Sequence, residues 1–314
     1  MAYTNTDTNM TTSSALSAGM QTYYNRELLR TFEPNLVHLQ FGDEHRMPPH
    51  SGLVMNMRKL IPLETNAKAL SEGDPGESVM LAETEVTVQL QQYGEYARCT
   101  DKLDLTHLDM DIMRRTKLFG DAGARSIDAV VREELAKCAN VIYAGGKASR
   151  AELTAADKLT SRELRKAVKT LKKNHAQTFG GYYVAIIGPD TMYDLQEDEA
   201  FVKVSQYQDK ENIYTGEVGR LFGVRLVETT EAKIFEGAGT DGADVASVIV
   251  LGQYAYGVTS LKGAKPRMIV KPAGSAGTAD PLDQISTVGW KMDGFGAKLL
   301  QPEYAVRIEC GFSA

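Results

Sequence analysis

The stretch GEVGRLFGVRLVET, residues 216–229, brings three glycines together: Gly216, Gly219 and Gly223. It is the part of the chain that comes nearest to phosphate chemistry. Glycine-rich loops cradle phosphate with backbone N–H groups when they follow a strand and open a helix. These three glycines fit neither the dinucleotide spacing G-x-G-x-x-G nor the P-loop, and the order is reversed. The β-branched run VRLVET comes after the last glycine. Gly223 ahead of a strand predicts a turn residue with positive φ.

The other reactive side chains are equally dispersed. His38, His45, His50, His107 and His175 include no H-E-x-x-H and no ligand pair on a helix, and His45 and His50 merely flank the Pro48-Pro49 loop. Asp241 and Asp244 in GTDGADV lack the ligand spacing of a calcium loop and read as a polar turn. Glu197, Asp198 and Glu199 could pair for acid–base work, but they read as a solvated helix junction. There is no G-x-S-x-G and no C-x-x-C. Cys99, Cys138 and Cys310 are few and far apart, which predicts reduced, buried thiols without metal. The single tryptophan, Trp290, lies in an alternating strand and suits a core or an interface. The residues therefore nominate no catalytic, cofactor-binding or metal site.

The elements that would have to hold a site build something else. The polar, Thr/Ser/Asn-rich residues 1–24 read as a flexible arm without signal-peptide features. Residues 20–32 form a short amphipathic pattern. Residues 46–92 alternate with period two on both sides of a turn-rich centre: Leu53, Met55, Met57, Ile61 and Leu63, then Val86, Val88 and Leu90. That predicts a long two-stranded projection, whose apolar rows a neighbouring chain would cover. Ala124, Ile127, Val131, Leu135, Cys138 and Ile142 recur at steps of three and four. They predict one long helix over about 109–143, opened by a Thr106/Asp109 capping box and closed by Gly145-Gly146. Thr160 and Glu163 open a second helix with a Leu164, Val168 and Leu171 stripe. Residues 182–189 and 246–252 read as buried strands, DTMYDLQED and EAFVKVSQYQ as short helices, and the last third returns to strands.

A net charge of −6 argues against a surface that grips nucleic acid. No apolar run approaches the ~20 residues of a membrane span, and a mean hydropathy of −0.28 suits a soluble globular chain.

The order of these elements resembles that of tailed-bacteriophage major capsid proteins of the podophage-type branch. The same shell fold occurs in herpesvirus capsid floors and encapsulin nanocompartments. QYGEYARCTDKLDL (92–105), AIIGPDTMYDL (185–195), GEVGRLFGVRLVET (216–229) and residues 280–310 carry the resemblance. It implies an α+β fold with a flexible N-terminal arm (1–24) and an extended β-hairpin loop (46–92). A peripheral domain would comprise 25–45, 93–178 and 266–314 and include the spine helix, and an axial domain would span 179–265. It further implies a non-enzymatic protein that self-assembles into hexamers and pentamers of an icosahedral shell around double-stranded DNA. Assembly would take place in the host cytoplasm, with a separate scaffolding protein, a portal protein and room for a decoration protein, and without a membrane. Some relatives crosslink a loop lysine; Lys68, near the expected loop tip, reads as a solvated side chain. Three alternatives stay open. One is an encapsulin-like nanocompartment, which shares the fold. Another is a hydrolase or transferase on the α/β unit at 180–260. The third is a minor structural role in the virion, such as a decoration or tail protein.

Overall fold

The computed structural model of the chain describes residues 28, 36–48, 50–60, 83–102, 112–198, 201, 220–261, 265–275 and 280–313. The arm at 1–24, the loop tip at 64–78 with Lys68, the Thr106/Asp109 pair, His107, Glu199, Gly216 and Gly219 lie outside these residues. So do most of the expected helices at 20–32 and 199–208; of the first, Leu28 is described, helical and fully buried.

Four strands open the described chain: β1 (Asp43–Met47), β2 (Val54–Leu60), β3 (Glu83–Gln89) and β4 (Gln91–Thr100). β2 and β3 form an antiparallel ribbon of their own, with Val54 opposite Gln89 and Leu60 opposite Glu83. Because side chains alternate along a strand, Met55, Met57, Val86 and Val88 share one face. The ribbon is shorter than the expected 46–92, because Met47 ends β1 inside a larger sheet and β4 starts at Gln91. The expectation that its apolar row needs a neighbour also fails at its root. Met57 and Val88 are buried there with Leu300 of the same chain. Two glycines make the room: a Cβ on Gly257 would stand 2.7 Å from the Met57 sulfur, and one on Gly296 2.8 Å from Val88.

The long helix is α1 (Ile112–Leu135). It runs unbroken through Gly120 and Gly123 and buries Ala124, Ile127, Val131 and Leu135 against β4 and the strand at 285–299. Each such Ile, Val or Leu contributes about 1.5–3 kcal/mol. The expected end near residue 143 is wrong. The helix tightens after Leu135, and Arg307 donates to the Ala136 carbonyl, giving the end a cation. Cys138 is buried beyond the helix, and Ile142 belongs to a strand, β5 (Val141–Tyr143). A strand pairing with residues far along the chain produces no local period that would mark the break.

Beyond β5 come α2 (Ser161–Lys173), β6 (Tyr183–Ile187), α3 (Pro189–Gln196), β7 (Arg220–Leu221), β8 (Val224–Glu228), β9 (Ile234–Phe235) and β10 (Val245–Leu251). The chain ends with β11 (Tyr256–Leu261), β12 (Arg267–Lys271), β13 (Ile285–Leu299) and β14 (Ala305–Cys310). Pro189 begins α3, where its missing N–H costs nothing. At α2 the expected capping box is altered. The Thr160 hydroxyl donates to Glu163, and Asp198 instead accepts the Ser161 N–H at 2.8 Å.

A seven-stranded mixed sheet runs β5-β14-β10-β6-β8-β7, with β9 on β10. Every residue of β6 and β10 is buried, which is why both read as unbroken apolar runs. In the second sheet β13 is central: β4 lies along it, and it also pairs with β12 and with β11, which carries β1. The sheets cut across the expected domain limits. β11, assigned to 179–265, pairs in the β13 sheet, whereas β5 and β14, assigned to the other unit, pair in the β6–β10 sheet. Among the described residues no helix is long and apolar enough to cross a membrane.

Candidate functional surfaces

Among the described residues, the structure keeps the reactive side chains singled out in the sequence apart. His45 pairs with Asp43 at 3.1 Å, and exposed His175 follows α2. Asp244 accepts the Gly237 N–H at 2.7 Å, which makes GTDGADV a hydrogen-bonded turn. That turn also contains a literal G-x-G-x-x-G, Gly237 to Gly242, absent from the sequence reading above. It leads into strand β10 and not a helix, so it lacks the N–H groups a pyrophosphate needs. No cluster of three His, Cys, Asp or Glu side chains suited to a metal occurs among the described residues. The three cysteines are buried and form no disulfide, and burial pushes the Cys138 and Cys310 thiols up, away from the reactive thiolate.

Gly223 has φ +80° and Phe222 +51°, and they connect paired Leu221 and Val224. This is a two-residue hairpin with both central residues at positive φ. A Cβ on Gly223 would meet nothing within 4 Å, so strain in a substitution is purely backbone strain. Gly223→Val is expected to cost about 1–3 kcal/mol. Thermal melts check this, and a variant as stable as the parent would refute the turn assignment.

Three buried polar clusters escaped sequence reading. The Asp128 carboxylate, fully buried on α1, accepts the His38 backbone N–H at 2.7 Å and meets the His38 ring Nδ1 at 2.5 Å. The Tyr256 hydroxyl donates to the His38 carbonyl, and burial together with Asp128 pushes that phenol far up. Glu309, also fully buried, takes two hydrogen bonds of 2.7 Å from Arg150, and the Arg307 Nε lies 2.8 Å away. Arg150 stacks 3.6 Å over the Phe235 ring. Asp194 on α3 accepts the Ser313 N–H at 3.0 Å and the Lys158 ammonium at 2.9 Å. In the first cluster, partners 90 and 218 residues apart leave no spacing signal.

Burial opposes ionisation of Asp194, yet the Ser313 and Lys158 hydrogen bonds outweigh it and hold the carboxyl below its ordinary 3.8. A depressed folded-state pKa gives stability that is complete above the unfolded value and lost as pH falls through the folded one. Glu44, Glu133, Glu134, Asp157 and Glu303 shift the same way. The melting temperature is therefore expected to drop below about pH 4. The penalty of Asp194→Asn should be largest at neutral pH and shrink in acid; a penalty independent of pH would show that the ion pair contributes nothing.

What remains are surfaces. The ribbon's outer face is polar, with Asn56, Thr87 and Glu85 hydrogen-bonded across the strands. Lys59 anchors the ribbon to Glu303 at 2.8 Å. Along β4, nine of the ten residues pair with β13, its only partner among the described residues, which leaves a long strand edge. Tyr96 there is 62% exposed. It overlooks a groove of about 670 Å³ lined by Tyr93, Arg98, Ile269, Trp290 and Lys291. Trp290, read as core or interface, is buried in its floor.

A family model described as phage capsid protein matches residues 83–308. Comparison with curated proteins gives no match. Among solved structures, the capsid of Ralstonia phage GP4 aligns with a TM-score of 0.70 at 14% identity, covering 100% of this chain and 98% of that one. The capsid of cyanophage P-SCSP1u aligns at 0.66 with 16% identity over 88% and 89%. The virus-like particle from Pyrococcus furiosus aligns at 0.55 with 12% identity over 92% and 99%.

Proposed function

The chain belongs to the phage capsid protein family, and on that premise we propose that its copies form hexamers and pentamers of an icosahedral shell around double-stranded DNA. It is a structural, self-assembling protein of the virion capsid and not an enzyme. One observation carries the reading: a phage capsid family model matches residues 83–308. In this reading the distal ribbon lies across a neighbouring subunit, and the β4 edge with its groove is a second contact between copies. Assembly takes place in the host cytoplasm on a separate scaffolding protein, with a portal at one vertex and an outer surface that can take a decoration protein.

Negative-stain electron microscopy of the purified protein, with and without co-expressed viral partners, tests this. Closed particles of uniform diameter are expected; soluble monomers under every condition would overturn it. DNA inside particles recovered from infection separates the phage shell from a nanocompartment, which would hold protein cargo. The family match favours the phage reading. A hydrolase or transferase on 180–260 would require saturable nucleotide or substrate binding, which calorimetry would detect.

A further inference from the structure

Helix α2 carries Arg162, Arg165, Lys166, Lys169, Lys172 and Lys173 against one carboxylate, Glu163, in a chain whose net charge is −6. With 3.6 residues per turn, the six cations fall within an arc of about 120°. The opposite side, Leu164, Ala167, Val168 and Leu171, is buried, with the helix packed on β14 and β5. Lys166 reaches buried Glu163 at 3.5 Å. Arg162, Arg165, Lys169, Lys172 and Lys173 are exposed and have no carboxylate partner among the described residues. Helix stability does not explain this pattern. Arg162/Lys166, Arg165/Lys169 and Lys169/Lys173 are like charges four residues apart, which repel. Arg162 also sits in the first turn, where the helix dipole disfavours a cation.

We propose that this face of α2 holds the phosphate backbone of duplex DNA without sequence preference. The inference rests on the reading of the chain as a shell around DNA and names the surface that would meet it. A partner protein would be expected to find apolar anchors, but the stripe offers only Phe222, 38% exposed, with the Arg165 guanidinium 5.1 Å from its ring. Four of the six cations are lysines, flexible point charges that suit backbone contact more than the bidentate reading of bases. From Arg162 to Lys173 the stripe is about 16 Å long, a length over which a duplex presents roughly ten phosphates. The acidic remainder of the chain would keep DNA off other surfaces, so the net charge conceals a segregated patch.

The test is fluorescence anisotropy of the purified protein with a random-sequence 30-base-pair duplex across a salt series. Neutralising three cations in Lys169→Gln/Lys172→Gln/Lys173→Gln should flatten the slope of log affinity against log salt by about 2–3. It should weaken binding at least tenfold at low salt, equally on unrelated sequences, with circular dichroism unchanged. Lys271→Gln/Lys291→Gln, in the β4 groove, should change neither quantity. An unaltered slope in the α2 variant, an equal loss in the groove variant, or binding of polyglutamate but not of DNA would each overturn the proposal. Micrographs of the same α2 variant keep the two readings distinct: particles are expected to form, and their absence from the parent protein counts against the shell.

Discussion

Replacing residues 64–78 with a short Gly-Ser turn is expected to give a folded, soluble protein that no longer closes into shells. The contacts between described residues that tie the ribbon to its own subunit, given next, lie outside the deletion. The seven cross-strand pairs from Val54–Gln89 to Leu60–Glu83 remain, as do Met57 and Val88 over Leu300 and the Lys59–Glu303 ion pair. The Leu90 N–H still donates to Leu53 at 2.8 Å. Circular dichroism should therefore barely change. The deleted segment, ETNAKALSEGDPGES, offers one leucine and no aromatic residue, too little for a core of its own. On the proposed reading, contacts it would make on a neighbour are individually weak, at about 25 cal/mol per Å² of apolar area before association costs. Closed symmetry repeats each of them at every subunit, so their loss acts on assembly and not on folding. Normal particles would sink the extended-loop reading. An insoluble product would place the segment in its own subunit's core.

The parts of this fold that were legible in the sequence are those with a local period. The apolar runs of β6 and β10, the stripe of α2 and the glycine ahead of β8 each announced an element within a few residues of its place. The parts that were not legible depend on distant partners. The apolar spacing continues through Cys138 and Ile142, so nothing local shows that the first leaves the helix to lie 3.0 Å from the Ala305 carbonyl and the second joins β14. The glycine notch under the ribbon exists only once Gly257 and Gly296 meet Met57 and Val88. The α2 charges were visible residue by residue, but a net charge of −6 averaged them away. For the candidate surfaces, the sequence nominated no catalytic constellation, although it held one dinucleotide-type spacing, Gly237 to Gly242, that leads into a strand. It could not name an interface, because a strand edge becomes an edge only when its sheet is known.

Asp128→Ala is expected to be among the most destabilising single changes available, at roughly 3–5 kcal/mol, as when one partner of a buried polar pair is removed. Asp128 is fully inaccessible, and its two oxygens satisfy both the backbone N–H and the ring nitrogen of His38, which is itself 1% exposed. Alanine would strand both groups in a dry site, at about 1–3 kcal/mol each, and leave a small cavity. The pair also fixes position. His38 belongs to the segment before β1, Asp128 to α1, and the Tyr256 hydroxyl on β11 holds the His38 carbonyl, so three distant pieces of chain meet there. Asp128→Asn keeps the shape and an oxygen to accept the N–H, so it should lose no more than about half as much. Tyr256→Phe should lose about one hydrogen bond, roughly 1 kcal/mol. Urea midpoints rank the three variants. Limited proteolysis supplies the local measurement, since cleavage between residues 36 and 48 should accelerate in the alanine variant before the rest of the chain opens. Equal urea midpoints for alanine and asparagine would show that volume, and not hydrogen bonding, holds the segment to the helix.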